Sequence, residues 1–469
     1  MCVCVIKMSD VIPILAIVII AYLRFSTTFI LQNDCLVSSP CTCFDSYDGI
    51  DIRCSSRDLT NIPDIKQFSA NVDKINLFFC YNKLTVIQND TFRNLSSINA
   101  NDIDLQLQGN MIHTIESNAF NGIAKTIKSL QLQSNNITIL PFAIKYLVNL
   151  KRLDICDNPL HSLDTLVMHN IGRSLTYFSF DLDTFTKWPK ELHYLRVLES
   201  LIANHIPYPQ LDVNVFHGFE STLRHLTLDY SKLKDVPNAI CHLSQLTSFT
   251  FRFAYHLQTN ISSTFAPCTQ TNSTVFELNL ASSNIHTFPN VFTLFPFLSK
   301  LNILNNSLEY IESTKIPTST ELTSLSLQYN RFERIPYALN LFKRLKQIFL
   351  YGNKIKTIET PDLSGLFSLI VLNLFQNPIS YIAPDAFYNN INLYYLDLDY
   401  TRLDHVPVAV TFLTKLRYLY LSGMPIDCTC DMSYLKHWNV SSVNTFSTKC
   451  ASSSETVKHF IMTSLQTCQ

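Results

Sequence analysis

The chain has 469 residues, and its 36 Lys+Arg against 37 Asp+Glu leave a formal net charge of −1. That balance offers no basic footprint for nucleic acid or an anionic membrane surface, and 47% hydrophobic with only 16% charged residues excludes chain-wide disorder. With 8 glycines in the whole chain, glycine-rich phosphate loops are also disfavoured.

The first element is an apolar run from Val11 to Leu23, preceded by Lys7 and followed by Arg24. Thirteen residues match a signal-peptide core and fall short of a bilayer span of about 20 residues. Residues 1–31 are therefore read as a secretory signal peptide rather than an anchor, and Cys2 and Cys4 leave with it. No second apolar run of 18 or more residues follows, so a secreted or extracellular product, associated with the cell surface in one variant of this reading, is expected. In that compartment the cysteines Cys35, Cys41, Cys43 and Cys54, and near the other end Cys428, Cys430, Cys450 and Cys468, are read as disulfides rather than zinc ligands.

Between the two clusters the sequence repeats. IKSLQLQSNNI at 127–137 recurs as LKRLDICDNPL at 150–160, LTSLSLQYNRF at 322–332, LKQIFLYGNKI at 345–355, LIVLNLFQNPI at 369–379 and LYYLDLDYTRL at 393–403. Weaker copies begin at 175, 198, 223, 275 and 298, whereas 246–257 fits poorly. From Ile127 to Leu416, 289 residues hold 12 intervals of about 24 residues each. Apolar fourth and sixth positions with a polar residue between them predict a short strand with one buried face. The Asn that follows turns the chain, and its amide can serve buried backbone groups. The rest of each copy returns behind the strand. It carries Phe92, Phe120, Phe216, Phe292 and Phe387 as a second apolar spine, and prolines such as Pro141, Pro237, Pro336 and Pro407 argue against a helical array.

The L-x-x-L-x-L-x-x-N-x-L pattern resembles leucine-rich repeats, and the flanking cysteine-rich segments resemble the N- and C-terminal caps of extracellular members of that family. The resemblance implies an α/β leucine-rich repeat solenoid, a curved horseshoe with a parallel concave sheet, short helices or irregular turns behind it, and disulfide-bonded caps. The implied layout is an N-terminal cap at 35–63, about 15 repeats over 72–426, and a C-terminal cap at 427–469. By the family pattern Cys35 pairs with Cys41, Cys43 with Cys54, Cys428 with Cys450 and Cys430 with Cys468. Ile426-Asp427 departs from the Pro-Trp pair common in such C-terminal caps. Cys241 and Cys268 flank the irregular copy and are placed to staple it. Cys80 and Cys156, three repeats apart at about 5 Å per strand, are too distant to bond and are expected as unbridged thiols.

Catalytic and cofactor motifs are absent: no G-x-S-x-G, H-E-x-x-H, Walker loop or G-x-G-x-x-G occurs. His193, His205, His217 and His225 cluster in sequence but fall in different copies, so surface or turn histidines are preferred over a metal site. Neither enzyme activity, a cofactor, a metal nor a small-molecule substrate is expected. Sequons stand at Asn89, Asn94, Asn136, Asn260, Asn272, Asn305 and Asn439, and N-glycosylation is expected most strongly at Asn94, Asn260 and Asn272.

The candidate ligand-binding residues are the side chains that alternate away from the leucines. Early repeats place Lys128, Ser129, Gln131, Gln133, Lys151, Arg152, Asp154, Asp181, Arg224, His225 and Asp229 there, polar and mixed in sign. Later repeats place Phe349, Tyr351, Phe375, Tyr395, Tyr418 and Tyr420 there, with Tyr329 and Tyr400 one step on. Asp397 and Asp399 adjoin them and are read as a solvated acidic binding spot, not a glycosidase pair. An aromatic stripe across neighbouring strands suits a protein ligand on the concave face, for adhesion, matrix association or signalling modulation. Homodimerisation and cross-strand packing without any partner stay open as alternatives, as does the ectodomain of a transmembrane signalling or innate-recognition receptor.

Overall fold

The computed structural model describes residues 35–46, 49–67, 70–258, 265, 268, 274–444 and 448–468. The signal-peptide reading of 1–31 and the sequons at Asn260 and Asn272 lie outside the described residues. The chain forms two compact units, residues 1–204 with 217–219, and residues 205–216 with 220–469.

In the first unit an antiparallel hairpin, Thr42–Ser46 with Gly49–Arg53, starts a sheet that continues in parallel through Ala70–Phe78, Ile98–Gln106, Ile127–Gln131, Arg152–Asp154, Tyr177–Asp181 and Ser200–Asn204. In the second unit, parallel pairing runs through His225–Thr227, Ser248–Thr250, Glu277–Asn279, Lys300–Asn302, Ser324–Ser326, Gln347–Phe349, Val371–Asn373, Tyr395–Asp397 and Tyr418–Tyr420. The registers superpose the leucine positions, for example Leu325, Ile348, Leu372, Leu396 and Leu419, all buried. One repeat cannot hide this face by itself, and its neighbours complete the core.

Copy 246–257, a poor fit by leucine spacing, is a regular strand in the structure. Phe249 and Phe251 are buried at the two leucine positions, and Ser248–Thr250 pairs on both sides. The misfit lies in the turn, where Ala254 and His256 stand at the Asn position and the apolar position after it, and the strand forms regardless.

Behind the strands the chain returns mostly through single turns of 3-10 helix. Those at Phe142–Tyr146, Asn238–His242, Tyr337–Leu341 and Val408–Phe412 each follow a proline, whose fixed φ suits that position. The longest α-helix among the described residues, Thr165–Ile171, is capped by Asp164, whose carboxylate accepts the Val167 N–H. The spine phenylalanines Phe92, Phe120, Phe216, Phe292 and Phe387 are all buried, and Phe92 stacks on Phe120.

The turn asparagines form ladders. Asn377 donates from Nδ2 to the Leu350 and Leu374 carbonyls and accepts the Ile355 N–H at Oδ1; Asn306, Asn330 and Asn353 repeat the pattern. Thr401 stands in the next rung. Its hydroxyl is buried without a hydrogen-bond partner, and the Ile379 N–H turns instead to the Asn377 carbonyl.

Among the described residues five disulfides are formed, Cys241–Cys268 and Cys428–Cys450, Cys430–Cys468, Cys35–Cys43 and Cys41–Cys54. The last two correct the pairing implied by the family pattern, Cys35–Cys41 and Cys43–Cys54. The hairpin register sets Thr42 opposite Arg53, which carries Cys41 to Cys54 at a Cα separation of 4.5 Å and leaves Cys43 to Cys35 at 5.2 Å. Cys80 and Cys156 are buried and take no part in the disulfides. At the other end Ile426 is fully buried, and its carbonyl accepts the Ala451 N–H beside Cys450. Tyr434 donates to the Val406 carbonyl at 2.6 Å, which joins this segment to the last repeats.

Candidate functional site

The outward rows of the second unit follow directly from strand register. Gln347, Val371, Tyr395 and Tyr418 form one row, and Phe349, Asn373, Asp397 and Tyr420 the next. Two residues further along each copy stand Gln328, Tyr351, Phe375, Asp399 and Ser422. The turn position after them holds Tyr329, Gly352, Gln376, Tyr400 and Gly423, where φ is positive.

All of the sequence-selected aromatic residues lie on this face, and most touch. Tyr329 meets Tyr351 edge-on at 5.1 Å between ring centroids, Tyr351 meets Phe375 at 6.3 Å, and Phe375 meets Tyr400 at 5.4 Å. Tyr395 lies 5.2 Å from Tyr420 and 6.4 Å from Tyr418. These are edge-to-face and tilted arrangements suited to ring quadrupoles. Phe349, Tyr351, Phe375, Tyr395, Tyr418 and Tyr420 are half-buried, while Tyr329 and Tyr400 are 47% and 57% exposed. Tyr329 and Tyr400 are held from below: each ring lies against the glycine of the next copy, where a Cβ on Gly352 or Gly423 would approach a ring carbon to 2.5 or 2.6 Å.

The acidic pair differs from the solvated spot expected. Asp397 is only 7% exposed and Asp399 is half-buried. Asp397 accepts from Asn373 Nδ2 at 3.1 Å, from the Tyr395 hydroxyl at 3.3 Å and from the Asp399 N–H at 3.1 Å, and Asp399 Oδ1 accepts the Ser422 N–H. Burial pushes both carboxyls above the ordinary aspartate range, and the charge of Asp399 pushes Asp397 further. The Tyr395 hydroxyl is raised as well, by burial and then by Asp397. The partners on neighbouring strands and the burial of Asp397 are invisible to a reading of single strands.

The early rows are compensated. In the first unit Arg152 lies 3.5 Å over the Tyr177 ring and 3.5 Å from Asp154, and Asn204 Nδ2 donates to Asp181 at 3.1 Å. In the second unit Arg252 holds Asp229 through Nε at 2.9 Å and through NH2 at 2.5 Å. Lys128, Ser129, Gln131 and Gln133 are half-buried, and Lys151, Arg224 and His225 exposed. Residues overlooked in the sequence include Tyr394, 5.4 Å from Tyr418, and a stack in which His205 lies 4.8 Å from Tyr230 and Tyr230 lies 4.2 Å from Phe253. The usable signal was an aromatic residue at the positive-φ turn position, which recurs at Tyr81, Tyr230, Phe253, Tyr329 and Tyr400. Among the described residues no group of three or more His, Cys, Asp or Glu is placed to hold a metal ion, and no helix is long and apolar enough to cross a membrane.

The family described as Leucine rich repeat matches residues 369–426. The chain is 33% identical over 138 residues to the volume-regulated anion channel subunit LRRC8A of human, covering 29% of this chain and 17% of that protein. It is 32% identical over 135 residues to mouse nephrocan, covering 29% of this chain and 22% of nephrocan. In both comparisons the chain spans well under a third of the relative's length. Among solved structures, the Toll–Spatzle complex of Drosophila matches with a TM-score of 0.56 at 14% identity, over 82% of this chain and 59% of that one, a likeness of fold. Strand register, the asparagine ladder, the family match and the disulfides near both ends together make this chain a leucine-rich repeat solenoid closed by cysteine-rich caps.

Proposed function

We propose that the chain is a secreted or cell-surface interaction module that binds a protein ligand on the outward face of its sheet between Tyr329 and Tyr420. The observation that carries this reading is the part-exposed run of rings from Tyr329 through Tyr351 and Phe375 to Tyr400, flanked by Tyr395, Tyr418 and Tyr420. Tyrosine and phenylalanine bring large contact area at low entropic cost, and such clusters dominate binding energy in protein interfaces. Five disulfides fit an oxidising compartment. In that compartment the exposed sequon asparagines Asn89, Asn94, Asn136, Asn305 and Asn439 are available for glycosylation. The module works by contact, without chemistry of its own.

The test is affinity capture from native extracellular material by wild-type protein and by the triple variant Tyr351→Ser, Phe375→Ser, Tyr420→Ser, with circular dichroism to verify folding. A folded triple variant that loses the captured protein supports the reading. One that retains it undiminished overturns it.

A further inference from the structure

The repeat carries its own internal comparison. LTLDYSKL at 226–233 and LDLDYTRL at 396–403 place Asp229 and Asp399 at the same position, each followed by a tyrosine with positive φ. In both copies the aspartate's Oδ1 accepts the backbone N–H of the equivalent residue one repeat on, Arg252 in the first case and Ser422 in the second. The two then diverge. Asp229 Oδ2 is met by the Arg252 guanidinium through both Nε and NH2, and that guanidinium also lies 5.9 Å from the Phe253 ring centroid. Asp399 faces Ser422, whose hydroxyl hydrogen-bonds the carboxylate but brings no charge and no second donor.

Nothing else in the neighbourhood supplies the missing cation. Neither Asp399 nor Asp397 pairs with a lysine, arginine or histidine among the described residues. Asp397, between Asn373 and Tyr420 in its row, adds a second buried carboxylate. The Tyr395 hydroxyl donates to Asp397 and its ring lies 5.2 Å from Tyr420, while Phe375, one strand before Asp399 in its row, meets Tyr400 edge-on at 5.4 Å. The face is thus rich in acceptors and rings and short of a cationic donor. A guanidinium answers all of these at once, through forked N–H donors for a carboxylate and a flat cation for aromatic faces.

We propose that this cluster binds an arginine side chain of a protein partner, with Asp399 Oδ2 taking the guanidinium as Asp229 takes Arg252, Asp397 adding charge behind it, and Phe375, Tyr400 and Tyr420 stacking around it. The inference rests on the outward face being a docking surface and specifies the anchor that it receives.

The test uses the whole chain and two probes, the peptides acetyl-Gly-Arg-Gly-amide and its citrulline counterpart, followed by saturation-transfer NMR. The citrulline probe keeps shape and loses charge. The arginine probe is expected to bind at least tenfold more tightly than the citrulline probe. Asp399→Asn is expected to remove that preference, and Ser422→Arg to block the site in cis by restoring the Arg252 arrangement. Ser422→Arg guards against misfolding as an explanation, because it adds an ion pair and is expected to raise Tm while abolishing binding. Equal binding of the two probes, or arginine binding unchanged in Ser422→Arg, overturns the proposal. The captured partner separates the two levels of the argument. If the triple aromatic variant loses the partner while Asp399→Asn and Ser422→Arg keep it, the docking surface stands and the arginine anchor falls. If the triple variant keeps the partner, the docking surface itself falls. Occupation by a second copy through its rings alone would appear as a dimer in sedimentation that the triple variant dissolves and Ser422→Arg does not, and it also overturns the arginine anchor.

Discussion

Replacing Asn377 by Ala interrogates the ladder on which the outward rows of the sheet depend. Asn377 is 1% exposed. Its Nδ2 donates to the carbonyls of Leu350 at 3.0 Å and Leu374 at 2.9 Å, and its Oδ1 accepts the Ile355 N–H at 3.1 Å. Alanine removes these three bonds, with a longer one to the Phe375 carbonyl at 3.5 Å, and strands three backbone groups inside the turn. A buried group left without a partner costs about 1–3 kcal/mol, so three groups, partly rescued by water entering the vacated volume, cost about 3–5 kcal/mol. Because each repeat leans on its neighbours, the damage is expected to be local first: backbone amides of residues 350–379 should exchange faster than those of the first unit. The assay is urea unfolding under non-reducing conditions combined with hydrogen exchange read by mass spectrometry, with Gln376→Ala, at an exposed neighbouring position, as the control expected within about 0.5 kcal/mol of wild type. A loss below about 1 kcal/mol for Asn377→Ala would refute the claim that these amides hold successive turns together.

Three further substitutions extend the reasoning. Thr401→Asn restores the missing rung above Asn377 and gives a partner-less hydroxyl's place to an amide; a gain of about 1–2 kcal/mol in urea unfolding is expected. Gly352→Ala puts a Cβ 2.5 Å from the Tyr329 ring at a φ of +67°, and should cost about 1–2 kcal/mol and move that ring, measurable by unfolding and by the Tyr329 ring resonances. Asp397→Asn addresses the buried charge. Burial favours the neutral carboxyl, so folding takes up a proton as pH falls, and wild type loses stability as pH rises from the ordinary aspartate range through the raised folded value. The variant should therefore melt above wild type at neutral pH, with the difference closing toward pH 4 and below; melting curves across that range decide it, and a gap that stays constant with pH contradicts the assignment.

Much of the fold was readable in the sequence because a repeat states the same rule many times over. Leucine positions, the turn asparagine and the return-arm proline reinforce one another from copy to copy, so a weak local signal becomes strong by repetition. What escaped depended on geometry across strands. Ala254 and His256 spoil the turn end of the pattern in copy 246–257, although the buried Phe249 and Phe251 keep its strand regular. The N-terminal disulfides follow from a hairpin register that sets Thr42 opposite Arg53, which cysteine order alone does not give. On the outward face, alternation found the aromatic residues, yet it carried no information on how deeply Asp397 is buried. The contrast between Arg252 and Ser422 was present as letters. It acquired meaning only when strand register set Asp229 beside one and Asp399 beside the other.

The most direct test of the account is hydrogen exchange on the complex between the chain and its captured partner, compared with the chain alone. The account requires protection to centre on residues 347–352, 371–376, 395–400 and 418–422, the strands and turns that carry the rings and the acidic pair. Protection confined to the return arms, or to the first unit, would place the partner elsewhere and contradict it.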